Sequence, residues 1–153
     1  KPEFTLTFKK NKFLNSGFER SPTPRVLEFV GFSEAGGSLI FSENLFEGFH
    51  CYFPPAAMLA YSTFKTVIFQ DNTYIGTLPK QDPRKWLSLI VANFVRQAPG
   101  VGSVLKFDRM KFTNMHAIQM GVFTIFEMGP KVVTELEFID SSAGQALFSF
   151  IGG

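Results

Sequence analysis

The sequence predicts an α+β domain in which a small helical layer packs on an antiparallel sheet and leaves a cleft at their junction. Three observations predict it. Helix-forming segments fall in the first two thirds of the chain, short alternating strands dominate beyond residue 104, and Gly, Pro, Asn, Asp and Ser clusters punctuate both. Phe4, Leu6 and Phe8 alternate as a first strand, and the polar, proline-containing stretch 15–25 reads as loop, so residues 1–25 are expected to form an N-terminal arm. Segments 26–32 and 38–41 read as a hairpin around Ala35-Gly36-Gly37. A short helix is expected at 56–61, where Ala, Met and Leu dominate, then a strand at 66–69 and a turn at 70–73. The strongest helix signal is at 82–97. Asp82 is a good N-cap, Pro83 suits the first helical position, and Trp86, Leu87, Ile90, Val91, Phe94 and Val95 share one face until Pro99-Gly100. Strands follow at 104–107, 117–126, 131–139 and 146–151, with turns at Gly129-Pro130 and at 141–144. No internal repeat is read from the sequence.

The length of 153 residues fits a single domain. With 45% hydrophobic and 18% charged residues, the chain is suited to a packed core, and its apolar runs stay short of the ~20 residues a membrane helix needs. Twenty phenylalanines are most simply core filling. A net charge of +2, spread out except at Lys9, Lys10 and Lys12, gives little support for a nucleic-acid partner. One cysteine forms no internal disulfide, which suits a reducing cytosol. A start at Lys1 with no signal-like segment suggests a processed product or an excised domain.

The chemistry-bearing residues are Cys51, His116 and Asp140. A thiol attacks an acyl carbon as thiolate, so it needs a nearby imidazole and gains from a helix N-terminus. Cys51 precedes the expected helix at 56–61, although Phe53-Pro54-Pro55 would delay its start. His50 adjoins Cys51 and would point away from it, so His116 is the expected base. If strands 117–126 and 131–139 pair antiparallel about Gly129-Pro130, Asp140 reaches the same sheet edge and orients the imidazole. The Cys51 backbone N–H and the Asn44 amide are the candidate oxyanion donors. No metal ligand spacing is present.

Gly48-Phe49-His50-Cys51-Tyr52, His116-Ala117-Ile118 and Phe138-Ile139-Asp140 resemble the motifs of papain-like cysteine proteinases. The Cys-Tyr pair and the Gly152-Gly153 end look most like self-cleaving leader and helper-component proteinases of plant and fungal RNA viruses. The His-Ala-Ile and Ile-Asp motifs are equally similar to bacterial effector proteases of the YopT type. The resemblance covers about a fifth of the chain. It implies a papain-like fold, with Cys51 as nucleophile, His116 as base then acid, Asp140 as orienter and Asn44 as oxyanion donor, and no cofactor. It also implies a thiol endopeptidase that cuts its own polyprotein in cis after Gly153, or a host protein, in the host cytoplasm. Glycines without Cβ can lie in a narrow cleft, and the thirteen residues from Asp140 to Gly153 span up to ~43 Å when extended. The usual Gln upstream of the nucleophile is missing.

Two other functions fit the same residues. The triad could transfer acyl groups in trans, as a deamidase or transglutaminase-like effector. Alternatively, Cys51 is a small buried hydrophobe, His116 a structural residue and Asp140 ordinary turn chemistry, within a non-enzymatic α+β module that docks a partner protein.

Overall fold

The computed structural model describes residues 4–14, 17–18, 37–48, 50–51, 57–59, 66–76, 89–92, 104–117, 122–126, 131–144 and 146–151. Among these residues every regular element is a strand and every strand pair is parallel. The expected helical layer and antiparallel sheet are therefore corrected to a parallel stack. The strands are β1 (Thr5–Lys9), β2 (Lys12–Leu14), β3 (Gly17–Phe18), β4 (Ser38–Ser42), β5 (Leu45–Glu47), β6 (His50–Cys51), β7 (Ala57–Leu59) and β8 (Thr66–Gln70). They continue as β9 (Thr73–Ile75), β10 (Leu89–Ala92), β11 (Val104–Thr113), β12 (His116–Ala117), β13 (Phe123–Phe126), β14 (Lys131–Ile139), β15 (Ser142–Ala143) and β16 (Phe148–Ile151).

Chain order and pairing define five successive coils. Strands β1, β4, β8, β11 and β14 stack as one ladder; β2, β5, β9 and the second halves of β11 and β14 stack as another. A third ladder runs β7-β10-β13-β16. Parallel strands require the chain to travel away and return between partners. Here each return is one coil, which makes the fold a parallel β-solenoid.

The register explains the sequence pattern. Leu6, Leu39, Val67 and Leu105 occupy one column, Phe8, Phe41, Phe69 and Phe107 a second, and Phe13, Phe46, Tyr74, Phe112 and Phe138 a third. The rings are offset little from coil to coil, as in Phe41 on Phe69 at 4.8 Å and 11° and Phe46 on Tyr74 at 4.7 Å and 9°. Leu39, Phe41, Phe46, Val67, Phe69, Tyr74, Leu105, Phe107 and Phe112 are fully buried. Alternate residues face outward, so Ile40 and Ile68 are only half-buried.

Between the first and second ladders the chain turns a corner at Lys10, Glu43, Asp71, Arg109 and Glu135, which take φ of 58°, 56°, 55°, 49° and 51°. A left-handed conformation at a residue with Cβ costs about 1 kcal/mol. The following position offsets this strain by fixing the bend from inside. In the first three coils it is Asn11, Asn44 and Asn72. The Asn44 side chain accepts from the Asn11 backbone N–H (2.9 Å) and Nδ2 (3.1 Å), and donates to Phe8 O (2.9 Å) and Asn72 Oδ1 (3.0 Å). Asn72 Nδ2 in turn donates to Phe41 O at 2.9 Å. Gly37 enters β4 at φ 88°, where a Cβ would meet Phe4 O at 2.6 Å.

Several local expectations change accordingly. Residues 57–59 and 89–92, read as helix, are strands. The run Leu89-Ile90-Val91-Ala92 is flanked by parallel neighbours on both sides, and a continuous apolar run satisfies such a strand as well as it satisfies a helix face. The remainder of both segments and residues 26–32 lie outside the described residues. The turn at 70–73 is a corner between coil faces, not a hairpin end. Strand β14 pairs with β11 in parallel, not with 117–126 across a hairpin. Residues 5–14 and 17–18, expected in an arm, form the first coil against β4, β5 and β6.

Candidate functional site

The residues singled out by the sequence separate along the stack. Asn44 is buried at 1% exposure, and both hydrogens of its amide are donated within the corner ladder, to Phe8 O and Asn72 Oδ1. Cys51 ends β6 opposite Phe18, and its side chain lies outside the described residues. Glu47 aligns with Ile75 and Ile75 with Thr113, so β5 and the end of β11 are two strand spacings apart, roughly 9–10 Å. His116 follows Thr113 by three residues, and Cys51 follows Glu47 by four. β6 pairs with β3 and β12 with β15, so Cys51 and His116 stand in separate two-stranded sheets. A base acts on its nucleophile within about 3 Å. Gly152 and Gly153 lie outside the described residues.

His116 starts β12 and pairs in register with Ser142 of β15, in parallel. Its ring is buried, with 7% exposure. Nδ1 is 2.7 Å from Ser142 Oγ and Nε2 is 2.9 Å from Asn114 Oδ1. Asn114 Nδ2 donates to Gly76 O at 2.7 Å, which turns the amide so that its oxygen faces the imidazole. An amide oxygen only accepts, so Nε2 carries hydrogen, and Nδ1 of the neutral ring accepts from the Ser142 hydroxyl. The neighbouring backbone is tied by Ser142 N–H to Met115 O (3.0 Å) and Asn114 N–H to Ile139 O (2.9 Å). Met115 N–H donates to Ser141 Oγ at 3.2 Å, and that hydroxyl donates to Ile139 O at 2.9 Å. The chain Ser142–His116–Asn114–Gly76 thus crosses three consecutive coils.

Asp140 does not stand as a partner strand's end folded back on His116. Because Thr113 aligns with Ile139, Asp140 falls on the same corner position as Asn114, one coil further on. Both take positive φ, 47° and 52°, and Gly48 takes 70° in an earlier coil. Asp and Asn tolerate this conformation better than most residues. Among the contacts of the His116 ring is that of Nε2 with Asn114 Oδ1. Neither Asn114 nor Ser142 was singled out from the sequence. Ser142 lies 26 residues from His116, in the next coil and in parallel register with it.

Among the described residues, charged side chains gather at the corner column and its outer neighbours. Arg109 forks onto Asp71 through Nε–Oδ1 at 2.6 Å and Nη2–Oδ2 at 3.2 Å, while Nη1 reaches Asp108 Oδ2 at 2.6 Å. The Arg109 fork holds the Asp71 carboxyl below its ordinary range. Asp108 is also held low, first by the Thr134 hydroxyl at 2.5 Å and then by the charges of Arg109 and Lys106. Lys9 and Lys10 lower Glu43 in the same way. Tyr74 is the converse: its buried hydroxyl has no hydrogen-bond partner among the described residues, and burial pushes its pKa up. Among the described residues no group of three or more His, Cys, Asp or Glu is placed to hold a metal ion. Nor is there among them a helix long and apolar enough to cross a membrane.

Comparison of the chain with known protein families, with characterised proteins and with solved structures finds no match.

Proposed function

We propose that this chain is a non-enzymatic binding scaffold, a section of β-solenoid whose ribbed outer face docks a partner protein. The observation that carries this reading is the continuous register of five coils. It commits the inward residues to ring stacks and Asn hydrogen bonds, and leaves an ordered outer surface. On the first ladder's outer side Thr7, Ile40, Ile68, Lys106 and Val132 align in one column about 4.8 Å apart. Thr5, Ser38, Thr66 and Val104 flank it on one side and Lys9, Ser42, Gln70, Asp108 and Thr134 on the other. Ile40, Ile68 and Val132, framed by hydroxyl, amide and charged side chains, suit a protein surface, where apolar contact supplies affinity and the polar rim supplies register.

Alkylation of Cys51 by iodoacetamide, in the parent and in His116→Ala, tests the reading. A scaffold has a thiol with ordinary pH dependence, near its usual pKa of about 8.5, that is unchanged by His116→Ala. A thiol that reacts fast at neutral pH and loses that reactivity in His116→Ala overturns it. The thiol-hydrolase proposal would then gain, and processing of a precursor extended beyond Gly153 would separate cis cleavage from deamidation of a host protein.

One observation favours a second reading. The hydrogen-bond chain Ser142 Oγ–H to His116 Nδ1, with Nε2–H held by Asn114, is the arrangement by which an imidazole removes a hydroxyl proton. Hydrolysis through Ser142 requires covalent labelling of Ser142 by a fluorophosphonate, abolished in His116→Ala. Absence of labelling in the folded parent removes this reading.

A further inference from the structure

The two outer coils of the stack carry complementary charges in register. Within the chain, opposite charges on neighbouring coils meet along the corner: Lys10 reaches Glu43 at 3.5 Å, Arg109 reaches Asp71 at 2.6 Å, and Lys111 reaches Glu137 at 3.3 Å. Glu43 and Asp71 are like-charged neighbours, but each turns to its cation on the other side. At the first coil the column ends in Lys10 and, two residues on, Lys12; at the fifth it ends in Glu135 and Glu137. Among the described residues each of these coils pairs on one side only: β1 with β4, β2 with β5, and β14 with β11. Their ladders present Leu6, Phe8 and Phe13 at one end and Val133, Leu136 and Phe138 at the other. All six are half-buried, whereas Leu39, Phe41 and Phe46 one coil inward are fully buried.

We infer that the fifth coil of one copy stacks on the first coil of a second copy, continuing the ladder head to tail. Continuing the register places Lys131 on Leu6, Val133 on Phe8, Glu135 on Lys10, Leu136 on Asn11, Glu137 on Lys12 and Phe138 on Phe13. Each contact repeats a type found inside the stack: a ring or aliphatic on a ring, a carboxylate beside a cation, a lysine over a leucine as Lys131 over Leu105, and an apolar side chain beside an asparagine as Met110 beside Asn72. The backbone N–H and C=O groups that an edge strand leaves unpaired are satisfied by the same step. The contact joins two different surfaces and is not closed by a two-fold, so it propagates into linear chains. This inference rests on the stacked-coil fold and is independent of what the outer face binds.

Sedimentation velocity on the purified chain across a wide range of concentration tests it, with far-UV circular dichroism as the control for folding. The parent should exceed its monomer mass of 17.2 kDa progressively with concentration, and added salt should weaken the association. Glu135→Lys/Glu137→Lys sets lysines against lysines, and Lys10→Glu/Lys12→Glu sets carboxylates against carboxylates; each alone should remain monomeric. Mixed together, the two variants present opposite charges at every junction, and association should return. A parent that is monomeric at all concentrations overturns the inference. So does association that both charge swaps leave unchanged, or swapped variants that are folded but do not associate when mixed. If a double variant fails to fold, the single substitutions Glu137→Lys and Lys12→Glu carry the same comparison.

Discussion

Replacing Asn44 by alanine should be among the most damaging single changes to this fold. The side chain makes four hydrogen bonds, two accepted from Asn11 and two donated to Phe8 O and Asn72 Oδ1. At about 1 kcal/mol net for each, their loss amounts to roughly 4 kcal/mol. Asn72 Oδ1 keeps the Asn44 backbone N–H at 3.0 Å, which limits the loss on that side. Phe8 O and the Asn11 N–H lie in the outermost coil, where water can replace part of what is removed, so about 3 kcal/mol is the expected net effect. With a urea dependence of about 2 kcal/mol per M, the unfolding midpoint should fall by about 1.5 M. The control is Asn11→Ala, which removes only the exposed Asn11 Nδ2 bond to Asn44 and should shift the midpoint by about 0.5 M. Equal shifts in the two variants would refute the reasoning, because the corner would then not depend on the buried amide.

Tyr74→Phe should be neutral or stabilising by up to about 1 kcal/mol, since it removes a buried hydroxyl with no partner among the described residues from a column whose other members are phenylalanines; a loss of stability by thermal denaturation would reveal a partner for that hydroxyl. Phe69→Ala, in the centre of its ring stack, should cost about 3–5 kcal/mol in urea unfolding, and a loss below about 1 kcal/mol would mean the stack is not tightly packed. Gly76→Ala should destabilise and also disturb His116, because the new Cβ would sit on the Asn114 carbonyl oxygen; an unchanged His116 ring resonance by NMR would contradict this. The carboxyls of Asp71 and Asp108 have folded pKa values below their unfolded ones, so their stabilisation is complete above about pH 4 and is lost as pH falls through the folded values. Arg109→Gln should therefore lower stability near neutral pH and weaken its fall on acidification, and an identical acid dependence in parent and variant would contradict the assignment.

Much of the strand content was legible. The alternation at Phe4, Leu6 and Phe8, the segments 38–41, 66–69, 104–107 and 131–139, and the final strand all correspond to strands, because a half-buried strand imprints its period of two on the sequence. The direction of pairing leaves no such imprint. A turn flanked by two strands reads as a hairpin, whereas here the chain turns a corner and meets its partner one coil later. The repeat itself is written in the chain as Leu6-Thr-Phe8-Lys-Lys10-Asn11-Lys-Phe13, Leu39-Ile-Phe41-Ser-Glu43-Asn44-Leu-Phe46 and Val67-Ile-Phe69-Gln-Asp71-Asn72-Thr-Tyr74. It escapes a search at fixed period because equivalent residues are 33, 28, 38 and 26 apart. Segments of unequal length separate the coils, and in the later coils Met110 and Leu136 replace the asparagine.

The site was less legible for the same reason. A buried histidine on a strand was within reach of pattern reading, but its partners come from coils 26 residues ahead and, through Asn114, 38 residues behind. Asp140 drew notice as an acid at a strand end. Its left-handed backbone shows why a residue of that type suits the position.

Engineered disulfides measure the parallel register most directly. In a Cys51→Ala background, Ile40→Cys with Ile68→Cys joins adjacent coils at the same register position, with Cα atoms about 4.8 Å apart. Ile40→Cys with Gln70→Cys is offset by two residues, which puts the Cα atoms about 8 Å apart, beyond disulfide reach. The stacked-coil structure predicts rapid intramolecular oxidation of the first pair and little of the second under native conditions. Failure of the first pair to close while the second closes readily would contradict it.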